Sequence, residues 1–143
     1  MTWDASTHGW AAVALWWDLS EAAPAKRDLL LVGSWPADWD VSQQPFCEAL
    51  GGVLAFESFA QQVNLGGRCC ILRNDASAAV AAFLKGSPQS PHLQRCALRL
   101  NRAAASVDVD CLPLHVPGLT LATLVSTPGP EPCARWLALI CAA

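Results

Sequence analysis

The sequence predicts an α/β domain built on a mixed five-stranded sheet, and three observations lead there. The chain opens with three strand-like runs joined by short connections, and strand-like and helix-like segments alternate afterwards. Its 143 residues suit one compact domain. Hydrophobic residues make up 53% of the chain and charged residues 15%, so a sizeable core is available. Strands that are first antiparallel and later separated by helices imply a mixed sheet with helices on its faces.

The elements follow in order. Thr2 to Ala5 and Trp10 to Trp17 are β-compatible, and Ser6-Thr7-His8-Gly9 between them supplies turn residues, which predicts a hairpin. After a polar loop with Pro24, Asp28 to Val32 gives a third strand and completes an antiparallel meander. Gly33 to Pro45 contains Pro36 and Pro45 without apolar periodicity and reads as a loop. Phe46 to Val63 is long enough for a helix, although Gly51 and Gly52 each cost ~1 kcal/mol against alanine. Adjacent glycines there predict the close approach of another element. Gly66-Gly67 ends the helix, and Arg68 to Arg73 reads as a buried strand. Ala76 to Lys85 is a short helix closed by Gly86. Ser90 as cap and Pro91 at the first helical position open a helix to about Ala105. Val107 to Val116 is a last strand, weakened by Pro113 and ended by Pro117-Gly118. The domain is expected to span residues 1–126. Residues 127–143 then form a proline-rich break (Thr127 to Pro132) and a short apolar helix, Cys133 to Cys141, packed on the same domain.

Composition excludes several classes. No apolar run approaches the ~18 to 20 residues of a membrane span, so no membrane partner is expected. Asp4 interrupts the N-terminus too early for a signal peptide, and the domain is expected to be soluble. The seven cysteines, at 47, 69, 70, 96, 111, 133 and 141, are odd in number, lack a Cys-x-x-Cys pair and mostly sit in apolar runs. They read as small buried hydrophobes in a reducing, intracellular setting, cytoplasmic or nuclear. The net charge is −3 with nine basic residues. Nucleic-acid binders usually carry a basic excess, so affinity for nucleic acid would have to come from metal ions or a neighbouring domain.

Several residues carry possible chemistry. Asp4 lies in the first strand and Asp75 just after the fourth, strands that can be neighbours in a mixed sheet of this order. Asp75 could equally cap the helix that begins at Ala76. Glu48 and Glu57 are nine residues apart, two and a half helical turns, and point to opposite sides of their helix. Arg95, Arg99 and Arg102 share a helix face at spacings of four and three. That stripe either tracks a nucleic-acid backbone or is a solvated face. Trp35 and Trp39 fit core-edge packing better than base stacking.

Four motifs carry a resemblance. Thr2-Trp3-Asp4-Ala5-Ser6, with Gly9-Trp10 beyond, resembles the opening motif of retroelement ribonuclease H domains. Arg73-Asn74-Asp75-Ala76-Ser77-Ala78-Ala79-Val80 is similar to their second aspartate motif. Lys85-Gly86-Ser87, followed by Ser90-Pro91 and Leu93-Gln94, resembles the linker and helix of tyrosine-recombinase-type and related retroelements, and His115-Val116-Pro117-Gly118 their late histidine loop. The resemblance is to the ribonuclease H domain of a reverse transcriptase of the DIRS/LTR type.

It implies a ribonuclease H-like fold and a phosphodiester hydrolase that cleaves the RNA strand of RNA–DNA hybrids. Asp4, Glu48 and Asp75 would hold Mg2+, with Mn2+ possible, because hard carboxylate oxygens suit such ions. Glu48, near the helix start in Phe46-Cys47-Glu48-Ala49-Leu50, takes the family's helical carboxylate position, which leaves Glu57 half-solvated on the outer face. His115, on a Pro-Gly loop, would assist proton transfer or product release. Ser6, Asn74, Arg95, Arg99 and Arg102 would touch nucleic acid. An adjacent reverse transcriptase domain or a larger assembly is the implied partner.

A second possibility is a catalytically silent ribonuclease H-like structural or docking module, supported by Val125, the net charge of −3 and the apolar tail. The family's fourth carboxylate position falls on Val125, and no Asp or Glu stands between Asp110 and Glu131. Glu131 could substitute only if the tail folds back. A further departure is that three residues precede Asp4, which suggests a fragment of a longer polyprotein or a trimmed relic of one. A third possibility, an integrase-like or transposase-like relative, would not need the His-Val-Pro-Gly loop.

Overall fold

The computed structural model describes residues 1–18, 23, 25–40, 42–86 and 90–118. In chain order it contains β1 (Thr2–Ala5), β2 (Gly9–Asp18), β3 (Ala25–Ser34), α1 (Gln44–Gln62), β4 (Arg68–Asn74), α2 (Ser77–Lys85), α3 (Pro91–Ser106) and β5 (Val109–His115). One five-stranded sheet results, in the order β3-β2-β1-β4-β5. β1 to β3 form the antiparallel meander, while β4 runs parallel to β1, and β5 parallel to β4. The mixed five-stranded sheet expected from the sequence is the one observed.

Side-chain alternation divides the sheet into two unlike faces. Trp3, Ala12, Ala14, Leu31, Cys70, Leu72 and Val109 are buried on the face that receives the helices. Trp3 packs against Phe83 of α2 with ring centroids 6.1 Å apart, and Trp16 against Phe59 of α1 at 5.5 Å. The predicted close approach at the paired glycines is there too. A Cβ on Gly52 would stand 2.6 Å from the Trp3 ring, and one on Gly51 would stand 3.2 Å from Trp10 Cβ. The helix bends no rule by holding two glycines: it exchanges helical propensity for contact with two tryptophans.

Boundaries shift where local polarity hides the periodicity. β3 runs from Ala25, three residues earlier than its apolar core suggests, because Lys26 and Arg27 pair across to Trp17 and Trp16. α1 starts at Gln44, since Pro45 fits a first turn whose N–H groups lack helical partners anyway. Ser90 occupies the N-cap of α3, but its side chain makes no capping bond. Pro113 sits within β5, an edge strand, where a missing donor is tolerated. Trp39 stacks on Phe46 at 5.3 Å, and Trp35 Nε1 donates to Ser6 O at 2.8 Å, so both tryptophans line the core edge as expected.

Cys47, Cys70 and Cys96 are buried, as predicted, whereas Cys111 is half-buried and Cys69 exposed. Among the described residues no helix is long and apolar enough to cross a membrane. Val125, Glu131, the proline-rich break and the Cys133 to Cys141 helix lie outside the described residues.

Candidate active site

Strand register builds the site. Thr2 of β1 stands opposite Arg73 of β4 in parallel pairing, so two residues further on Asp4 and Asp75 emerge at the same end of the sheet. The first turns of α1 lie over this end. Gln44 Nε2 donates to Ala5 O at 3.2 Å and to Glu48 Oε1 at 3.0 Å. Asn74, the last residue of β4, donates from Nδ2 to Trp3 O at 2.9 Å and to Glu48 Oε2 at 3.1 Å. Its Oδ1 accepts from Ala76 N at 2.7 Å, and Trp3 Nε1 donates to Glu48 O at 2.7 Å. Glu48 is therefore fixed by its main chain and by both carboxylate oxygens.

Electrostatics tie the three acids together. Glu48 is 4% exposed. Burial pushes its pKa up to about 7, and the Asp4 and Asp75 charges add to the rise against hydrogen bonds from Asn74 and Gln44. Asp4 is half-buried and also raised, first by burial and further by the Asp75 charge, against the lowering effect of the Ala5 N–H. The Asp75 charge disfavours ionisation of both Asp4 and Glu48, and the Asp4 charge that of Glu48, as expected of acids sharing one neighbourhood. Among the described residues, no three His, Cys, Asp or Glu side chains form a ready cage for a metal ion. The arrangement is an acidic neighbourhood whose donors are hard oxygens, and a divalent cation would relieve its repulsion.

His115 ends β5 in register with Asn74 instead of riding on a Pro-Gly loop, which corrects the sequence expectation. Its Nε2 lies 2.9 Å from Asp75 O, a contact that holds the Nε2–H tautomer, and Val116 N donates to Asn74 O at 3.0 Å. The β ladder thus fixes the histidine beside Asp75. The helix-capping alternative for Asp75 is not realised: Ala76 is the N-cap of α2, and the Asx-type bond there comes from Asn74.

Asn74 requires a second correction. Expected at nucleic acid, it is fully buried with its amide used entirely within the chain, so it positions Glu48 instead. Ser6 is exposed in the β1–β2 turn, where its Oγ accepts from His8 N at 3.2 Å. Arg95 and Arg102 are exposed along a groove of about 620 Å³ between α1 and α3. Arg99, midway between them, is held by Glu57 through two bonds of 2.7 Å, so its guanidinium faces a carboxylate within the chain. Glu57 is half-buried on that outer side, away from Glu48, as predicted. Sequence reasoning missed Gln44, although its i,i+4 spacing to Glu48 was a usable signal.

No family model matches the chain, and no curated protein matches it. Among solved structures it is similar to ribonuclease H1 from the halophilic archaeon Halobacterium salinarum NRC-1, with a TM-score of 0.51 and 15% sequence identity over 82% of this chain and 83% of that one. The fold is that of ribonuclease H.

Proposed function

We propose that this domain is a metal-dependent ribonuclease H that cleaves the RNA strand of RNA–DNA hybrids as part of a retroelement reverse transcriptase. The observation that carries the reading is Glu48, buried and raised to about 7 beside Asp4 and Asp75 at the adjoining ends of two parallel strands. Perturbed acids gathered at the ends of neighbouring strands are the kind of cluster found at functional sites. The fold shared with a ribonuclease H1 is compatible with this reading.

Asp4, Glu48 and Asp75 would hold Mg2+ or Mn2+, and the bound ion would activate water and stabilise the charge that develops on the phosphate. Gln44 and Asn74 orient the Glu48 oxygens, so the carboxylate needs little rearrangement to act. His115, tied by its Nε2 to Asp75 O, sits where it can exchange a proton with a departing product. Ser6, Arg95 and Arg102 are exposed for contact with the nucleic-acid backbone, and an adjoining reverse transcriptase domain would offset the net charge of −3. The compartment is intracellular.

A catalytically silent docking module is the second reading, favoured by the lack of a ready three-ligand cage among the described residues. Incubation with a labelled RNA–DNA hybrid in Mg2+ and then Mn2+, beside an Asp75→Asn control, separates the two. Cleavage of the RNA strand alone, lost in the control, supports the nuclease. A folded sample inert in both metals supports the module.

A further inference from the structure

The groove of about 620 Å³ between α1 and α3 joins an apolar floor to a cationic rim. Ala60, Ala103 and Val107 lie in the floor, partly buried against the core, and Leu98 beside them is 45% exposed. Helical spacing aligns the walls. Glu57, Ala60 and Gln61 share one face of α1, and Arg95, Leu98, Arg99 and Arg102 share one face of α3. Glu57 comes nine residues after Glu48, two and a half turns and about 13.5 Å along the axis, so the groove opens away from the acids.

Three arginines and one acid surround this floor in a chain whose net charge is −3. Glu57 already holds Arg99 through two bonds of 2.7 Å. Arg95 and Arg102 are exposed, and among the described residues neither has a hydrogen-bond or ion-pair partner. The step from Arg95 to Arg102 spans about 10.5 Å along α3, with Leu98 between them.

We propose that this groove docks an amphipathic helix of a protein partner, with acidic residues seven positions apart and apolar residues three and four positions after the first. Seven positions of the partner helix also span about 10.5 Å, so its carboxylates meet Arg95 and Arg102 while its apolar residues cover Leu98 and Ala60. Guanidinium groups suit such carboxylates because both can pair through two parallel bonds. The lining holds no aromatic ring on which a base could stack, and the Glu57 carboxylate in its wall repels phosphate. Both features favour a peptide over a nucleic-acid strand on the floor. On the ribonuclease reading, the hybrid backbone meets the two rim arginines alone, so a docked helix withdraws them and the two ligands compete. The docking itself does not rest on that reading.

The test is anisotropy of a fluorescein-labelled, helix-forming peptide of roughly 16 residues with this Glu and Leu spacing, titrated with the full chain. Expected is a Kd tighter than about 100 μM, weakened at least tenfold by Leu98→Asn and by Arg102→Glu. Replacing the peptide's facing glutamate by lysine is expected to restore binding to Arg102→Glu, and near-UV dichroism confirms that each variant is folded. No binding to the intact chain, or binding that Leu98→Asn leaves unchanged, overturns the proposal. The labelled RNA–DNA hybrid is titrated in parallel and is expected to tolerate Leu98→Asn. A hybrid that loses as much affinity as the peptide gives the floor to nucleic acid and overturns the proposal as well. The peptide result stands by itself, so a hybrid that binds none of the proteins counts against the ribonuclease reading alone.

Discussion

Glu48 combines three conditions that rarely coincide: near-complete burial, two neighbouring acids, and hydrogen bonds to both carboxylate oxygens. In the metal-free folded protein it keeps its proton to about pH 7, whereas the unfolded chain releases it near 4.5. Between those values the folded state binds more protons, so stability falls as pH rises through this window. The loss is on the order of 3 kcal/mol. Urea unfolding from pH 5 to 8 without divalent metal is expected to show that decline, and Glu48→Gln to flatten it. Asn74→Ala removes three bonds from a buried amide and leaves Trp3 O, Glu48 Oε2 and Ala76 N short of a partner. A destabilisation of about 3 kcal/mol is expected in the same unfolding assay. At this scale the sequence was partly legible. Asp4 and Asp75 stand out because the motifs and the strand order agree on them. The pairing of Arg99 with Glu57 was not legible, since it joins two helices across 42 positions of the chain. The burial of Asn74 was not legible either, because asparagine after a strand is ordinarily a turn residue.

Among the elements, α1 decides how the site is held. Gly52 occupies a helix interior, where alanine would ordinarily gain about 1 kcal/mol. Here the added Cβ would stand 2.6 Å from the Trp3 ring, itself fully buried and bonded to Glu48 O. Overpacking of this kind costs about 1–3 kcal/mol and outweighs the propensity gain. Gly52→Ala is therefore expected to lower the thermal midpoint and to broaden the Trp3 fluorescence or indole NMR signal, while a glycine-to-alanine change at exposed Gly66 leaves both nearly unchanged. The paired glycines were readable in advance as a close approach, because nothing else explains two costly residues in one helix. The start of β3 was not readable, as Lys26 and Arg27 owe their strand conformation to partners on β2 and carry no apolar alternation.

For the whole molecule, charge and topology set the remaining terms. The strand directions were accessible because short connections force the first three strands antiparallel and helices force the later ones parallel, whereas the full order β3-β2-β1-β4-β5 came from the structure. The buried face of the sheet was not accessible either, since strand alternation alone does not say which side receives the helices. With a net charge of −3, the proposed function requires hybrid affinity to rest on few cations. Arg95→Glu combined with Arg102→Glu is expected to weaken hybrid binding and to reduce the salt dependence of log Kd by about two, read by fluorescence anisotropy across salt concentrations. Arg99→Gln, which loses a partly exposed pair with Glu57, is expected to change that slope little and stability by less than about 1 kcal/mol.

The most direct measurement is Mn2+ binding at pH 8, by paramagnetic resonance and calorimetry, on the intact chain and on Asp4→Asn, Glu48→Gln and Asp75→Asn. The account predicts specific binding in the intact chain that weakens at least tenfold in each variant and is competed by Mg2+. Equal binding in all four proteins, or none in the intact chain, would contradict the claim that these three carboxylates form one metal site.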